Sequence, residues 1–379
     1  MKVLITGGAG FIGRNLAIRL KSLGYGVKIL DNLSRQIHGN NAKWSEELNC
    51  IDESELILGS ISDKMLLDSL LRNVDCVVHL AAETGTGQSM YEIHHYTTIN
   101  IDATASMLEL VTQKHKHIKK FVFASSRSVY GEGAYKDSQG VIFTPKSRIK
   151  DNLEKKVWGH FDFLGKEVEQ IATKESSEIC PSSIYAASKY SIELTGKILG
   201  DCYNFDFDAL RFQNVYGEGQ SLLNPYTGIL SIFANLMRDN KPINIFEDGN
   251  ESRDFIHVSD VVNAIILSLQ AKNVENRAIN IGSGVPTSVY SIAEKLKSIL
   301  RSDSNIVVTG DYRLGDIRHC FADLSLAKNL LGFEPKIDID VGLKRFCDWV
   351  VTQPVVDIQA KSAQDKMMSL GLGKSTTIN

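Results

Sequence analysis

The sequence lacks the features expected of a membrane, secreted or zinc-binding protein. None of its apolar runs reaches the about 18 residues that cross a bilayer, and a strand pattern starts at the first residues, so we expect no signal peptide. The six cysteines are scattered and form no Cys-x-x-Cys pair, which predicts reduced thiols and no metal site. These absences predict a soluble, cytoplasmic protein.

An excess of charge of one sign is also missing. The formal net charge is -3, from 42 basic and 45 acidic residues that are interleaved along the chain. Nucleic acid and anionic membrane surfaces are therefore not expected partners. The length of 379 residues is large for one hydrophobic core and predicts two closely joined domains.

The first 31 residues carry the clearest pattern. An apolar strand at residues 2–6 leads into Gly-Gly-Ala-Gly-Phe-Ile-Gly at residues 7–13, then an amphipathic helix and a second strand that ends on Asp31. In such a βαβ unit the glycines let the backbone approach a pyrophosphate at the helix N-terminus, and the acid accepts hydrogen bonds from ribose hydroxyls. We predict dinucleotide binding here rather than an ordinary turn.

Strands and helices continue to alternate after this unit. Strand patterns at residues 55–59, 76–80, 120–124 and 207–212 are separated by helical patterns near 64–71, 100–114 and 185–199. This order predicts an α/β fold with a Rossmann-type doubly wound parallel sheet. Shorter mixed segments after residue 219 predict a smaller C-terminal mixed α/β substrate-binding domain.

The same patterns suggest domain boundaries. Residues 1–215 form the predicted Rossmann domain, to which segments at about 253–282 return, and residues 216–350 form mainly the cap. The polar stretch at about 132–181 is interpreted as an insertion over the sheet and is given no function. Residues 351–379 form a polar tail that we expect to pack weakly.

Tyr185 and Lys189 are the predicted catalytic pair. Their spacing of four places both side chains on one helix face, so an ammonium beside the phenol would lower the pKa of Tyr185 and make it a general base. Ser126, at the end of a serine-rich strand, is the predicted third member. A lone Tyr-x-x-x-Lys is more often a solvated helix face, but the dinucleotide unit favours the catalytic interpretation.

Taken together, the motifs resemble the extended short-chain dehydrogenase/reductases of the NAD-dependent epimerase/dehydratase family. The resemblance runs from about Met1 to Val350 and is carried by residues 6–13, Asp31, 79–82, 125–126, 185–189, 211–217, 253–260 and 280–284. It implies an NAD-dependent enzyme acting on a nucleotide sugar. In such enzymes the tyrosine takes a hydroxyl proton while hydride leaves for nicotinamide, giving a transient 4-keto sugar.

Positions in the strands and the resemblance together assign the cofactor contacts. Asp31 would repel a 2′-phosphate, which favours NAD over NADP. Ser60 stands where the family usually has an aspartate that contacts the adenine, so a weaker contact is expected there. The predicted NAD-binding residues are Gly7, Gly10, Phe11, Ile12, Gly13, Asp31, Asn32, Ser60, Ile61, Leu80, Ala81, Ala82, Asn100, Tyr185 and Lys189.

The resemblance also implies a nucleotide-sugar site. Asn214 matches the family asparagine on the diphosphate, Arg253 its guanidinium clamp, and Arg313 with Asp316 the pair that holds the diphosphate and ribose. The alternatives are salt bridges for the arginines and a polar surface loop for residues 83–89. The predicted substrate-binding residues are Glu83, Thr86, Gln88, Ser89, Ser126, Arg127, Asn214, Arg253, Arg313 and Asp316.

The type of reaction depends on Arg127 and Ser128. Sugar 4,6-dehydratases carry an acid pair at these two positions, so their replacement disfavours elimination of water and leaves epimerisation or simple redox chemistry. Residues 82–91 and 125–133 are most similar to a bacterial branch of dTDP-L-rhamnose 4-epimerases. A UDP-sugar 4-epimerase, a dehydratase or reductase, and a non-catalytic NAD-binding sensor or scaffold stay open as alternatives.

The family resemblance implies a homodimer as well. A four-helix bundle would join the helix near residues 101–111 and the helix after Tyr185 to their copies in a second chain. Apolar residues of these helices are either part of that interface or ordinary core positions; they are Met107, Leu108, Ile192 and Leu194.

Overall fold

The computed structural model describes residues 1–40, 42–203, 205–224, 226, 228–271, 277–355, 366 and 368–374. The strands of this part of the chain are β1 (Lys2–Thr6), β2 (Gly26–Asp31), β3 (Leu56–Leu58), β4 (Cys76–His79), β5 (Lys120–Ser126), β6 (Ala134–Lys136), β7 (Ile142–Phe143), β8 (Glu169–Ile171), β9 (Asp206–Phe212), β10 (Asn214–Tyr216), β11 (Ile243–Ile245), β12 (Ser252–His257), β13 (Arg277–Ile281), β14 (Pro286–Ser288), β15 (Ile306–Val308), β16 (Tyr312–Arg313), β17 (His319–Cys320) and β18 (Gly373–Lys374).

The α-helices are α1 (Phe11–Ser22), α2 (Arg35–His38), α3 (Lys64–Leu71), α4 (Thr86–Ser89), α5 (Ile93–Thr97), α6 (Thr104–Gln113), α7 (Lys150–Glu154), α8 (Ile184–Tyr203), α9 (Ile229–Arg238), α10 (Val258–Gln270), α11 (Val289–Leu300), α12 (Ser325–Leu331) and α13 (Ile339–Val350). A π-helical segment, Thr98–Ala103, joins α5 to α6, and a 3-10 turn, Arg127–Tyr130, follows β5. Among these helices none is long and apolar enough to span a bilayer.

A seven-stranded parallel sheet forms the centre of the protein. Its order is β13-β9-β5-β4-β1-β2-β3. The strand order reverses between β1 and β4, since β2 and β3 lie on one side of β1 and the later strands lie on the other. The apolar runs predicted as strands are buried on both faces, as parallel strands must be when helices cover them. The predicted Rossmann-type fold class is confirmed.

Helices cover both faces of this sheet. On one face α1 and α10 pack over the sheet core, and on the other α3, α6 and α8 do so. Met107, Leu108 and Ile192 are fully buried in the second of these cores, so they are core positions and not exposed interface residues. Leu194, by contrast, is 45% exposed.

The C-terminal part adds a third core and several small sheets. Helices α9, α11 and α13 pack together with β11 and β12 around Phe233, Phe255 and Phe346. β12 pairs with β10, β14 and β17, and β11 pairs with β15. These elements form the C-terminal mixed α/β part of the protein.

Three local differences separate the structure from the sequence analysis. The helix expected from Asn100 begins at Ile93, because the fully buried Tyr96 anchors an extra turn that has no apolar periodicity. The 132–181 stretch contains α7 and the antiparallel sheet β7-β6-β8, although its polar sequence predicted neither. Much of the predicted tail lies outside the described residues, but β18 pairs with β16.

Candidate active site

A cavity of about 550 Å³ opens at the carboxyl ends of β1, β4 and β5. It lies where the strand order reverses, between β1 and β4, which is the usual ligand position in open α/β sheets. The sequence-predicted residues in its wall are Gly7, Gly10, Phe11, Ile12, Gly13, Asp31, Asn32, Ser60, Ile61, Leu80, Ala81, Ala82, Glu83, Thr86, Ser126, Arg127, Tyr185, Lys189 and Asn214.

The glycine turn at one end of the cavity fits a dinucleotide. Gly7 has a φ of +69°, and a Cβ there would lie 2.7 Å from the Ala81 nitrogen. A Cβ on Gly13 would overlap the Gly7 carbonyl oxygen. The first turn of α1 carries no acidic side chain, which leaves its N-terminus suited to a phosphate group.

Asp31 lies at the end of β2 beside this turn. Its carboxylate accepts hydrogen bonds from the backbone of Ala9 (3.0 Å) and of Leu33 (2.8 Å), which hold it at the cavity wall. This arrangement suits ribose hydroxyls and places a negative charge where NADP would carry its 2′-phosphate. The glycine turn and Asp31 therefore fit NAD.

Ser126, Tyr185 and Lys189 all line this cavity. The predicted role of Lys189 in lowering the pKa of Tyr185 stays a prediction. Burial of the phenol raises the pKa of Tyr185, and the two opposing effects are a hydrogen bond from Ser126 and the positive charge of Arg127. The Lys189 ammonium lies 5.8 Å from the centre of the tyrosine ring and donates instead to the Ala124 carbonyl at 2.8 Å.

Lys189 is buried at the carboxyl end of β5, where neighbouring groups hold it. Burial lowers the pKa of Lys189 to about 7, while the carboxylate of Glu193, one helical turn further along, acts in the opposite direction. Glu193 is itself paired with Arg211 (2.7 Å) and accepts a hydrogen bond from Ser125. This buried ion pair ties α8 to both β5 and β9 next to the catalytic residues.

Six predicted site residues lie outside the cavity wall. The Asn100 side chain accepts a hydrogen bond from the Glu83 backbone nitrogen (2.9 Å) and donates one to the Glu83 carbonyl (3.0 Å). It therefore fixes the backbone of a wall residue without lining the cavity itself. Gln88 is buried against Gln36, Glu92 and Tyr96, and the Ser89 hydroxyl bonds the Thr86 carbonyl. The other three are Arg253, Arg313 and Asp316.

The three cap residues form their own contacts. The Arg253 guanidinium donates to the carbonyls of Ser252, Ile317 and Arg318 at 2.8 to 3.0 Å. Arg313 lies over the Phe246 ring, 4.7 Å from its centre, and 3.5 Å from the Asp316 carboxylate. The structure therefore places the predicted catalytic residues and, except for Asn100, the predicted cofactor residues in one cavity wall, and it leaves the predicted diphosphate clamp outside that wall.

The structure adds residues that the sequence analysis missed. Gln213 and Asn224 line the cavity with buried amide atoms that have no hydrogen-bond partner in the described part of the chain, as does Asn214. Ser128 donates to the Ser126 hydroxyl at 3.0 Å and so orients it. Ser128 and Gln213 stand beside residues of the predicted motifs, whereas no spacing signal identifies Asn224, which a separate loop brings to the cavity.

Comparisons with known proteins agree with this site. The NAD dependent epimerase/dehydratase family matches residues 3–148 and 162–282. A dTDP-L-rhamnose 4-epimerase of Burkholderia thailandensis is 34% identical over 93% of this chain and 95% of its own. A putative UDP-glucose 4-epimerase of Methanocaldococcus jannaschii is 31% identical over 92% of this chain and 98% of its own.

Solved structures are similar over the same extent. The UDP-glucose 4-epimerase of Thermotoga maritima with UDP-glucose has a TM-score of 0.73 and 29% identity, covering 93% of this chain and 99% of that one. The UDP-glucuronic acid 4-epimerase of Bacillus cereus with UDP-glucuronic acid and NAD has a TM-score of 0.71 and 26% identity, with the same coverage. The family resemblance predicted from the motifs is confirmed, and the chain belongs to the NAD dependent epimerase/dehydratase family as an NAD-dependent enzyme.

Proposed function

We propose that the protein is a nucleotide-sugar 4-epimerase that converts dTDP-L-rhamnose to dTDP-6-deoxy-L-talose. The observation that carries the proposal is the meeting of Ser126 and Tyr185 with Lys189 and the glycine turn in one cavity, with Arg127 and Ser128 where a dehydratase has carboxyl groups. The residues gathered in the cavity support oxidation of a sugar hydroxyl, and the identity of Arg127 and Ser128 argues against elimination of water.

In the proposed reaction Tyr185 is the base. It takes the proton of the C4 hydroxyl, while Ser126, oriented by Ser128, hydrogen-bonds the same oxygen as it becomes a carbonyl. NAD, held by the glycine turn, Asp31 and Lys189, supplies reversible acceptance of the hydride from C4. After the sugar has turned over in the pocket, the hydride would return to the opposite face of C4, which inverts that carbon, and Tyr185 would return its proton to the oxygen.

Carboxyl groups in the cavity wall are few and are placed away from an elimination role. Among the described wall residues they are Asp31, at the ribose end, and Glu83. Glu83 lies 3.2 Å from His95, and its backbone is fixed by Asn100. Neither occupies the turn after Ser126 from which a dehydratase supplies its acid and base.

The choice of sugar nucleotide is supported by two observations. Residues 82–91 and 125–133 resemble the dTDP-L-rhamnose branch, and the Burkholderia thailandensis enzyme of that name is similar over nearly the whole chain. A UDP-sugar 4-epimerase is the second candidate, favoured by the Methanocaldococcus jannaschii relative and the Thermotoga maritima structure.

The test is product analysis with a panel of substrates. The purified protein is incubated with NAD and with dTDP-, UDP-, GDP- and CDP-sugars, and the products are identified by nuclear magnetic resonance. Conversion of dTDP-L-rhamnose to its C4 epimer, faster than any UDP-sugar, is the expected result. Turnover of UDP-sugars alone would reassign the nucleotide, and NAD binding without any turnover would favour a sensor or scaffold.

We also propose the domain division expected from the sequence, and a homodimer. Strand β13 pairs with β9 at the edge of the main sheet, which supports a return of the chain to the Rossmann domain near residue 277. Leu194 and Ile198 are 45% and 60% exposed and lie four residues apart on α8. They form an apolar strip that supports α8 as the dimer helix.

A further inference from the structure

The inference concerns residues 316–319, a segment between the insertion and the catalytic turn. The Ser182 hydroxyl, three residues before Tyr185, donates to the Gly315 carbonyl at 3.3 Å. Ile317 packs against Val129 and Tyr130, in the 3-10 turn that follows Ser126. The segment, with Gly315 before it, therefore contacts the turn that follows Ser126 and the stretch that leads into Tyr185.

Arg253, the predicted diphosphate clamp, takes its position from this segment. It donates to the carbonyls of Ile317 at 2.8 Å and of Arg318 at 3.0 Å. Within the described ranges no carboxylate lies within ion-pair distance of Arg253. Its positive charge is therefore not neutralised by an acid, and its direction is fixed by carbonyls whose own position must be held.

Glu132, the first residue of the insertion, holds the segment from the opposite side. Its carboxylate accepts hydrogen bonds from the backbone nitrogens of Arg318 (2.9 Å) and His319 (3.4 Å). The side chain is 3% exposed, yet His160 and Arg148 keep the pKa of Glu132 below its usual value despite burial. A charged, acceptor-only group is thus aimed at two consecutive backbone nitrogens.

Arg148, also in the insertion, holds the start of the same segment. Its guanidinium donates to the Asp316 carbonyl at 2.8 Å and to Glu247 at 2.7 Å, and its side chain is 3% exposed. Glu247 also pairs with Arg318 at 3.2 Å. Arg148 therefore links the insertion, the segment and the loop after β11.

We propose that Glu132 and Arg148 are positioning residues for the nucleotide-sugar site, acting through residues 316–319 on Arg253. The inference rests on the proposed function, because it takes the diphosphate to bind at Arg253. It gives the insertion a role: the insertion is a support for the substrate clamp and takes no part in the cofactor site. Loss of either side chain is expected to weaken nucleotide-sugar binding and to spare NAD binding and the chemical step.

The test compares Arg148→Met, Arg148→Lys and Glu132→Gln with the wild-type protein. Lys136→Met is the matched control, because Lys136 forms an exposed salt bridge with Glu169 (2.7 Å) within the same insertion. The measurements are KM and kcat for the nucleotide sugar, and the Kd values of dTDP, UDP and NAD by calorimetry. Heat-induced unfolding is followed for every variant.

For Arg148→Met we expect KM and the nucleotide Kd to rise at least about tenfold, with kcat and the NAD Kd within about twofold of wild type. Arg148→Lys should recover part of the affinity, since it keeps the charge but loses the fork of donors. Lys136→Met should behave as wild type. Unchanged nucleotide affinity, or equal losses of nucleotide and NAD affinity, would overturn the proposal.

Two further outcomes have to be distinguished from failure of this proposal: a variant that does not fold, and a wild-type protein without turnover. If Arg148→Met does not fold, Glu132→Gln is evaluated by the same criteria, because it keeps the shape of the carboxylate and one acceptor oxygen. If the wild-type protein turns over no sugar, the proposed function fails. The nucleotide Kd values of the variants still decide whether the insertion positions the clamp.

Discussion

Arg127 and Tyr185 line the same cavity, where burial raises the pKa of the Tyr185 phenol and the positive charge of Arg127 acts against that rise. Lys189, four residues from Tyr185 on the same helix, is directed instead to the Ala124 carbonyl. Arg127 is therefore the cation that helps the proposed base lose its proton. Among the described residues it has no hydrogen-bond or ion-pair partner that would neutralise this charge.

Removal of the Arg127 charge should shift the pH dependence of the reaction. The phenolate form of Tyr185 is the base, so kcat/KM rises as pH rises toward the pKa of Tyr185. Arg127→Leu removes an effect that lowers this pKa, so the rise should move to higher pH, whereas Arg127→Lys should keep it near the wild-type position. The measurement is kcat/KM for the nucleotide sugar across the alkaline range. A profile of unchanged position in Arg127→Leu would contradict the assignment.

Tyr185→Phe should abolish proton transfer and leave the cofactor site intact. A positioned general base contributes about 10²- to 10⁴-fold to the rate, and kcat should fall by about that factor. NAD affinity, measured by calorimetry, should stay close to wild type because the glycine turn and Asp31 are unchanged. Thr195→Ala is the control, since its hydroxyl bonds the Ser191 carbonyl within the same helix and lies outside the cavity wall. Retained turnover in Tyr185→Phe would exclude it as the base.

The sequence was sufficient to predict the sheet and the cofactor turn, because both depend on local patterns. Apolar runs followed by glycine or serine predicted the strand ends that meet at one edge, and the cavity wall contains the predicted glycine turn together with Asp31, Ser126, Tyr185 and Lys189. Parallel strands place consecutive carboxyl ends side by side, so local patterns were enough to bring these segments together.

The cap and the insertion could not be predicted in the same way. Glu132 contacts Arg318, and Arg148 contacts Glu247, across large sequence separations and without any periodic spacing. The hydrogen-bond partner of Lys189 could not be predicted for a related reason: helical spacing puts two side chains on one face, but burial and the Ala124 carbonyl decide where the ammonium points. Long-range polar contacts of this kind leave no local signal in a single sequence.

Gly13→Ala should weaken NAD binding. The new Cβ would overlap the Gly7 carbonyl oxygen, and relief of such overpacking costs about 1–3 kcal/mol and displaces the turn. Gly24→Ala, after the same helix, is the control: its Cβ meets open space, although its φ of +81° is strained. We expect calorimetry to show weaker NAD binding in Gly13→Ala alone. Equal NAD affinity in the two variants would argue against the close approach.

Glu193→Gln should destabilise the protein strongly. Glu193 and Arg211 are both buried and lie 2.7 Å apart, and removal of one partner from a buried pair costs about 3–5 kcal/mol because the other charge is left uncompensated. Lys197→Met, which breaks an exposed pair with Asp201 on the same helix, should cost at most about 0.5 kcal/mol. Urea unfolding compares the two variants. Similar unfolding midpoints would show that the buried pair adds nothing to stability.

Ile198→Glu should separate the proposed homodimer. Ile198 is 60% exposed on α8 next to Leu194, and a carboxylate opposite its own copy in a symmetric helix interface would be both desolvated and repelled. Light scattering after size-exclusion chromatography should give about twice 42.0 kDa for the wild type and the single-chain mass for the variant. Val341→Glu is the control, because Val341 is 54% exposed on α13, which packs against α11 in the C-terminal core. A monomeric wild type, or a variant that stays dimeric, would place the interface elsewhere or exclude it.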